Sequence, residues 1–225
     1  MNFSDRIGHA YFFAKNYVIN KGFASEIDWQ EKIKYEEITE QQFLHEISWV
    51  IIASGLNDAV VRKIFPAIKE SMFGFKNSKL IIDNKRKCLK SSLKVFNHKG
   101  KIQAILYAAD YISTNTFKKV KAQILNEGIA FLQTFPYLGK ATSFHLAKNI
   151  GIEVAKPDRH LVRISNALGF KNPNDLCGII ANKVNERIST IDIVLWRYAT
   201  LDKKYLQKIS WLIAKSQQSH YSLSN

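Results

Sequence analysis

Two groups in this sequence have the types and spacing to do chemistry together. One is a tight turn, Phe135-Pro136-Tyr137-Leu138-Gly139, and the other is a carboxylate, Asp158, about twenty residues further on. An apolar helix is expected to end near Thr134, and Ala141, Phe144, Ala147 and Ile150 recur at helical spacing directly after the turn. The backbone N–H groups around Gly139, Lys140 and Ala141 then lie at a positive helix N-terminus, and Gly139 has no side chain to hold a phosphate away. Such a helix-hairpin-helix grips the backbone of one nucleic-acid strand without reading its bases. Gly151 stops the second helix, and a short connector leads to Asp158, which stands where it would N-cap a helix through Leu161, Ile164 and Leu168.

The elements that must hold these groups are helical. Phe43, Leu44, Ile47, Val50 and Ile51 form one apolar face, as do Ile102, Ile105, Leu106, Ala109 and Ile112, and strand alternation is hard to find. Prolines are scarce, and turn clusters such as Gly74-Phe75-Lys76-Asn77-Ser78 and Asn97-His98-Lys99-Gly100 fall between helical windows. The chain therefore reads as all-α, with about ten helices. Its 225 residues, 46% of them apolar, are enough for a sizeable core in one large domain or two small ones. The stretch Ser216–Asn225 has the composition of a frayed end.

Charge narrows the partner. Lys and Arg number 33 against 19 Asp and Glu, giving +14, so polyanions are favoured: nucleic acid first, an anionic membrane second. Basic residues concentrate in the middle third, at Lys85-Arg86-Lys87 with Lys90 and Lys94, Lys99 with Lys101, and Lys118-Lys119 with Lys121. Each run alone reads as a solvated helix face; the collective excess reads as a polyanion surface. Two cysteines, Cys88 and Cys177, are too few for a four-thiolate zinc site, an iron–sulfur cluster or a secreted disulfide framework. Without a basic-then-apolar leader at Met1–Asp5 or an apolar run of membrane-spanning length, the expectation is a soluble, cytoplasmic protein with no membrane partner. No nucleophile elbow, P-loop, His-Glu-x-x-His or paired-cysteine motif is present, which leaves the usual hydrolases, ATPases and zinc enzymes without a basis.

With these residues in view, the chain resembles the helix-hairpin-helix DNA glycosylase superfamily. That family carries an apolar-Pro-Gly-apolar-Gly hairpin and, beyond the second helix, an essential Asp. Phe135-Pro136-Tyr137-Leu138-Gly139 followed by Thr142-Ser143 is similar to the hairpin, with Tyr137 in place of its first glycine. Asp158-Arg159-His160-Leu161-Val162-Arg163 resembles the family's Asp-x-His-apolar-apolar-Arg block. The stretch Phe43–Asp58 is similar to the helix and loop that carry the DNA wedge, and Asn97-His98-Lys99-Gly100-Lys101 resembles an Asn-x-x-Lys turn. Together these cover roughly residues 40 to 170.

The resemblance implies a two-lobed fold with a central lobe of residues 36–151 and a second lobe of residues 1–35 plus 152–225, Asp158 facing the cleft between them. It implies a monomer acting on double-stranded DNA that contains a damaged or modified base, which is flipped out before its N-glycosidic bond is hydrolysed. As the bond from C1′ breaks, the sugar gains oxocarbenium character, and a fixed carboxylate stabilises that charge and can orient or deprotonate water. Asp158 takes this role. Tyr137, Gly139, Lys140, Ala141 and Thr142 would hold phosphate; Leu56 or Asn57 would fill the gap left by the flipped base; His160 would orient Asp158 or touch phosphate. Trp196 and Tyr198 either stack on the extruded base or pack in a core.

Members that also cut the strand carry a lysine two positions after the second hairpin glycine, where this chain has Ala141. Lys140 is one residue early, about 100° around the helix, so a monofunctional enzyme is expected, with a lyase through Lys140 or Lys156 as the alternative. No cofactor is required, no metal is expected, an iron–sulfur cluster is excluded, and a monovalent cation at the hairpin carbonyls is implied by the family. Substrate stays open between oxidised, alkylated, mismatched or deaminated bases and a hypermodified cytosine, hence between base excision repair and defence against phage DNA. A non-catalytic DNA-binding module using only the hairpin and the basic charge is the rival reading.

Overall fold

A computed structural model describes residues 3–218 of the chain; the end of the expected frayed tail, from residue 219 on, lies outside the described residues. The described residues are all-α, with no strand. The helices are α1 (Phe3–Asn20), α2 (Ala24–Lys32), α3 (Glu40–Ala53), α4 (Asp58–Ser71), α5 (Ser78–Asp83), α6 (Lys85–Val95) and α7 (Lys99–Asn115). They continue with α8 (Phe117–Glu127), α9 (Ile129–Leu132), α10 (Lys140–Asn149), α11 (Arg159–Ala167), α12 (Pro173–Val184), α13 (Ile188–Leu201) and α14 (Tyr205–Gln218).

Among the described residues there are fourteen α-helices rather than about ten helices, because single residues interrupt otherwise continuous periodicity. Thr116, at φ 65°, separates α7 from α8; Gly128, at φ 59°, separates α8 from α9; Asn84 ends α5 and opens α6. The apolar spacing runs through such breaks, so periodicity alone merges the pieces.

The contacts divide the chain into two units, Met1–Ile33 with Gly151–Asn225, and Lys34–Ile150. In the second unit α3 is set by a capping box: Thr39 Oγ1 accepts from the Gln42 amide at 3.2 Å, and Gln42 Oε1 accepts from the Thr39 amide at 2.9 Å. The face Phe43, Leu44, Ile47, Val50 and Ile51 is fully buried, and so are Ile102, Ile105 and Ala109 of α7, which packs against it. Burial of this kind contributes roughly 1.5–3 kcal/mol per large side chain and is what holds the unit together. The first unit is built on α1 and α13, with Ile7, Tyr11, Ala14, Leu161, Leu176, Val194 and Tyr198 in its core. Tyr11 donates to Glu186, and burial, with that hydrogen bond, pushes its hydroxyl pKa far up.

Candidate nucleic-acid interface and active-site carboxylate

In the unit of residues 34–150, α9 and α10 are joined by the turn at residues 133–139. Tyr137 has φ 68°, the left-handed region that favours glycine. The position where the resembled hairpin has its first glycine therefore keeps a glycine-like backbone while carrying an aromatic ring. That ring stands edge-on to His98, centroids 5.9 Å apart, and its hydroxyl sits so close over Gly100 that a methyl group there would overlap it. Gly100 thus accommodates Tyr137, a pairing that neither motif alone reveals.

The turn differs from the expectation in one respect. The Gly139 amide is not open to a ligand: it donates to Thr142 Oγ1 at 2.7 Å, and that hydroxyl in turn donates to Tyr137 O at 2.9 Å. Thr142 holds the turn shut, and Ser143 donates to Gly139 O at 2.8 Å from below. What remains at the start of α10 are the first-turn amides of Lys140, Ala141 and Thr142, which an α-helix leaves without intrahelical acceptors. Gly139 and Lys140 are exposed, and Ala141 and Thr142 are half-buried.

Lys101, which the sequence offers only as part of a turn and of a basic run, organises this region. It is buried, and its ammonium donates to Ile52 O at 2.7 Å and to Ser54 O, closing the carbonyl end of α3 with a cation. The same Nζ lies 6.0 Å from the centroid of the Tyr137 ring. Burial lowers the Lys101 pKa. Next to this carbonyl end is the turn that carries Leu56 and Asn57. Gly55 there has φ 72°, the Leu56 amide donates to Ala53 O at 3.0 Å, and Asn57 Oδ1 caps α4 by accepting from the Ala59 amide at 2.9 Å. Leu56 is half-buried and Asn57 is exposed. One lysine therefore borders both the turn proposed to carry the wedge and the turn proposed to hold phosphate.

Asp158 belongs to the other unit, where it is held from several sides. The connector from Gly151 is pinned by Asn174 Oδ1, which accepts from the Ala155 amide at 3.1 Å, and by Asp192 Oδ2, which accepts from the Lys156 amide at 2.7 Å. Glu153 pairs with Arg187, whose guanidinium also donates to Gly151 O at 3.1 Å and to the carbonyls at the end of α2. Asp158 then caps α11: its Oδ1 accepts from the His160 amide at 2.8 Å and the Leu161 amide at 3.0 Å. Among the described residues, Oδ2 makes no hydrogen bond. A half-buried carboxylate with one oxygen committed to a helix and the other uncommitted can hold its position and still face a developing cation.

His160 is half-buried against Tyr205, ring centroids 5.6 Å apart. Burial lowers its pKa, opposed by the Asp158 charge and aided by Arg159 and Arg163. Its Nδ1 is buried without a hydrogen-bond partner, and Arg159 Nε approaches Nε2 at 3.4 Å. Lys156, on the connector, is half-buried two residues before Asp158. Tyr198 is fully buried among Tyr17 and Phe13, so of the two aromatics on α13 only Trp196 reaches the surface, in part, with the Arg197 guanidinium 4.6 Å from its ring.

Asp192 and Asn174 escaped the sequence reading. The signal for Asp192 was a carboxylate inside the apolar run Ile191-Asp192-Ile193-Val194, since a charged residue on a buried helix needs a partner. Among the described residues no group of three or more His, Cys, Asp or Glu could hold a metal ion, and no helix is long and apolar enough to cross a membrane. Cys88 and Cys177 are buried free thiols. Comparison with family models, with curated proteins and with solved structures gives no match.

Proposed function

We propose that the chain is a monofunctional DNA glycosylase that flips a damaged or modified base out of duplex DNA and hydrolyses its N-glycosidic bond. The observation that carries this reading is Asp158: a carboxylate locked by its own cap and by the Asp192-anchored connector, with one oxygen uncommitted. In the mechanism, the first-turn amides of α10 hold a phosphate of the target strand, with Lys140 beside them. Leu56 or Asn57 enters the gap left by the flipped nucleotide. Asp158 stabilises the oxocarbenium-like sugar and directs water to C1′. His160, whose amide donates to Asp158 Oδ1 and whose imidazole pKa burial lowers, orients that carboxylate or touches phosphate. The reading includes two helical lobes, a helix-hairpin-helix at residues 129–149, a monomer in the cytoplasm, no required cofactor, and room for a monovalent cation at the hairpin. The formal charge of +14 supports a polyanionic partner.

The test incubates the protein with duplexes carrying oxidised, alkylated, deaminated and mismatched bases, and with phage DNA containing modified cytosine, with and without alkali. Abasic sites that break only under alkali are expected. Breaks without alkali that borohydride traps would point to Lys140 or Lys156 as a lyase nucleophile instead. Salt-sensitive binding with no abasic site on any substrate would favour the non-catalytic module.

A further inference from the structure

A second feature of the unit of residues 34–150 has no part in that mechanism. Between Asp58 and Val95 the chain carries ten basic and three acidic residues, a net +7 and half of the total charge. Asp58 and Asp83 are engaged by Arg62 at 2.7 Å and Lys79 at 3.2 Å, neighbours on their own helices. Within this basic segment lies a depression of about 460 Å³ lined by the apolar Pro66, Phe73 and Leu80 and by Lys69, Lys76 and Glu70. Lys87, on α6, brings its ammonium to 5.3 Å from the Phe73 ring centroid.

The backbone beneath Phe73 is strained. Phe73, Gly74 and Phe75 have φ of 55°, 66° and 57°, three consecutive residues in the left-handed region. Two anchors enforce this turn: Phe75 is fully buried against Phe65 and His45, and Gly74 O accepts from Gln41 Nε2 at 3.1 Å. The outcome is a phenylalanine left half-buried in the lining of a basic depression instead of packed in the core beside Phe75.

We infer that this α4–α6 face is a second nucleic-acid contact, in which Lys69, Lys76 and Lys87 hold successive phosphates of an unpaired strand while one base stacks on Phe73. An aromatic ring among basic side chains is the pairing that single-strand recognition requires, and neither base identity nor Asp158 is involved. A bilayer fits less well, because the apolar side chains here are few and two of them, Phe73 and Leu80, are half-buried.

The experiment measures binding of the full chain to fluorescent oligothymidylate over a range of salt. Replacing Lys69, Lys76 and Lys87 together by Gln is expected to flatten the log–log salt dependence by about 2, the share of three single-strand phosphate contacts. Phe73→Ala is expected to weaken binding about tenfold. Phe73→Asn, which tolerates the left-handed backbone, repeats that test should the alanine variant fold poorly. Photocrosslinking with 5-iodouracil is expected to tag the peptide containing Phe73. An unchanged salt dependence in the triple variant would overturn the inference. So would crosslinks confined to the peptide with Tyr137 and Lys140, or retention on phosphatidylserine vesicles without binding to the oligomer. Asp158→Asn is expected to leave this binding intact, so its failure is distinguishable from that of the glycosylase reading.

Discussion

Gly100→Ala and Tyr137→Gly, made singly and together, are expected to show opposite signs for the same substitution in two backgrounds. A methyl at Gly100 meets the Tyr137 hydroxyl, so the ring must swing away from His98 and from the Lys101 ammonium. Those two ring contacts contribute about 1–2 kcal/mol together. Against that loss, alanine in a helix gains up to about 1 kcal/mol over glycine, less in a first turn, which is where Gly100 lies. Gly100→Ala alone therefore destabilises by about 1 kcal/mol. Tyr137→Gly relieves roughly 1–2 kcal/mol of left-handed strain at φ 68° but loses the ring contacts and adds chain entropy to the unfolded state, so it lies within about 1 kcal/mol of wild type. With the ring gone, Gly100→Ala becomes stabilising by about 0.5 kcal/mol. Urea unfolding of all four proteins reads the coupling directly, expected at about 1–2 kcal/mol. Additivity within about 0.5 kcal/mol would refute the claim that Gly100 exists to seat Tyr137.

Other consequences are as definite. Lys101→Met strips the cation from Ile52 O and Ser54 O and leaves buried carbonyls without a donor; a loss of about 3 kcal/mol in urea unfolding is expected, with weaker duplex binding as the turn at Leu56 and Asn57 loosens. Asp192→Ala removes the buried carboxylate that accepts from the Lys156 amide and loosens the connector, costing about 2–3 kcal/mol and lowering base excision in the same variant even after stability is restored with glycerol. Burial holds the His160 pKa below its ordinary 6.5, so the unfolded chain binds the extra proton first. Stability contributed by neutral His160 is fully present above about pH 6.5 and is lost as pH falls towards the folded-state pKa; His160→Gln should flatten that part of a urea-midpoint profile.

The helices were legible in the sequence wherever an apolar face repeats, as at Phe43, Leu44, Ile47, Val50 and Ile51, because burial requires that spacing. The cap at Asp158 was legible too, since an Asp just before an amphipathic run has a local hydrogen-bonding role to fill. Breaks at Thr116 and Gly128 were not, because one left-handed residue does not disturb the period on either side. The closed Gly139 amide was missed for a related reason: Thr142 was read for what it offers a phosphate, while its hydroxyl is within reach of its own turn. Lys101 and Asp192 were hidden by tertiary structure, their acceptors and donors lying 49 and 36 residues away in the chain. Charge composition shows that lysines are plentiful but not which of them is buried.

The account rests on Asp158 doing two things, capping α11 with one oxygen and acting on the sugar with the other, and the most direct measurement separates them. Asparagine caps a helix about as well as aspartate, so Asp158→Asn is expected to unfold within about 0.5 kcal/mol of wild type and to bind DNA equally well. It is also expected to produce no abasic sites on a duplex that wild type processes. Asp158→Ala should lose the activity and about 1 kcal/mol of stability as well. Abasic sites formed by Asp158→Asn at the wild-type rate would contradict the central claim and leave Asp158 as a helix cap alone.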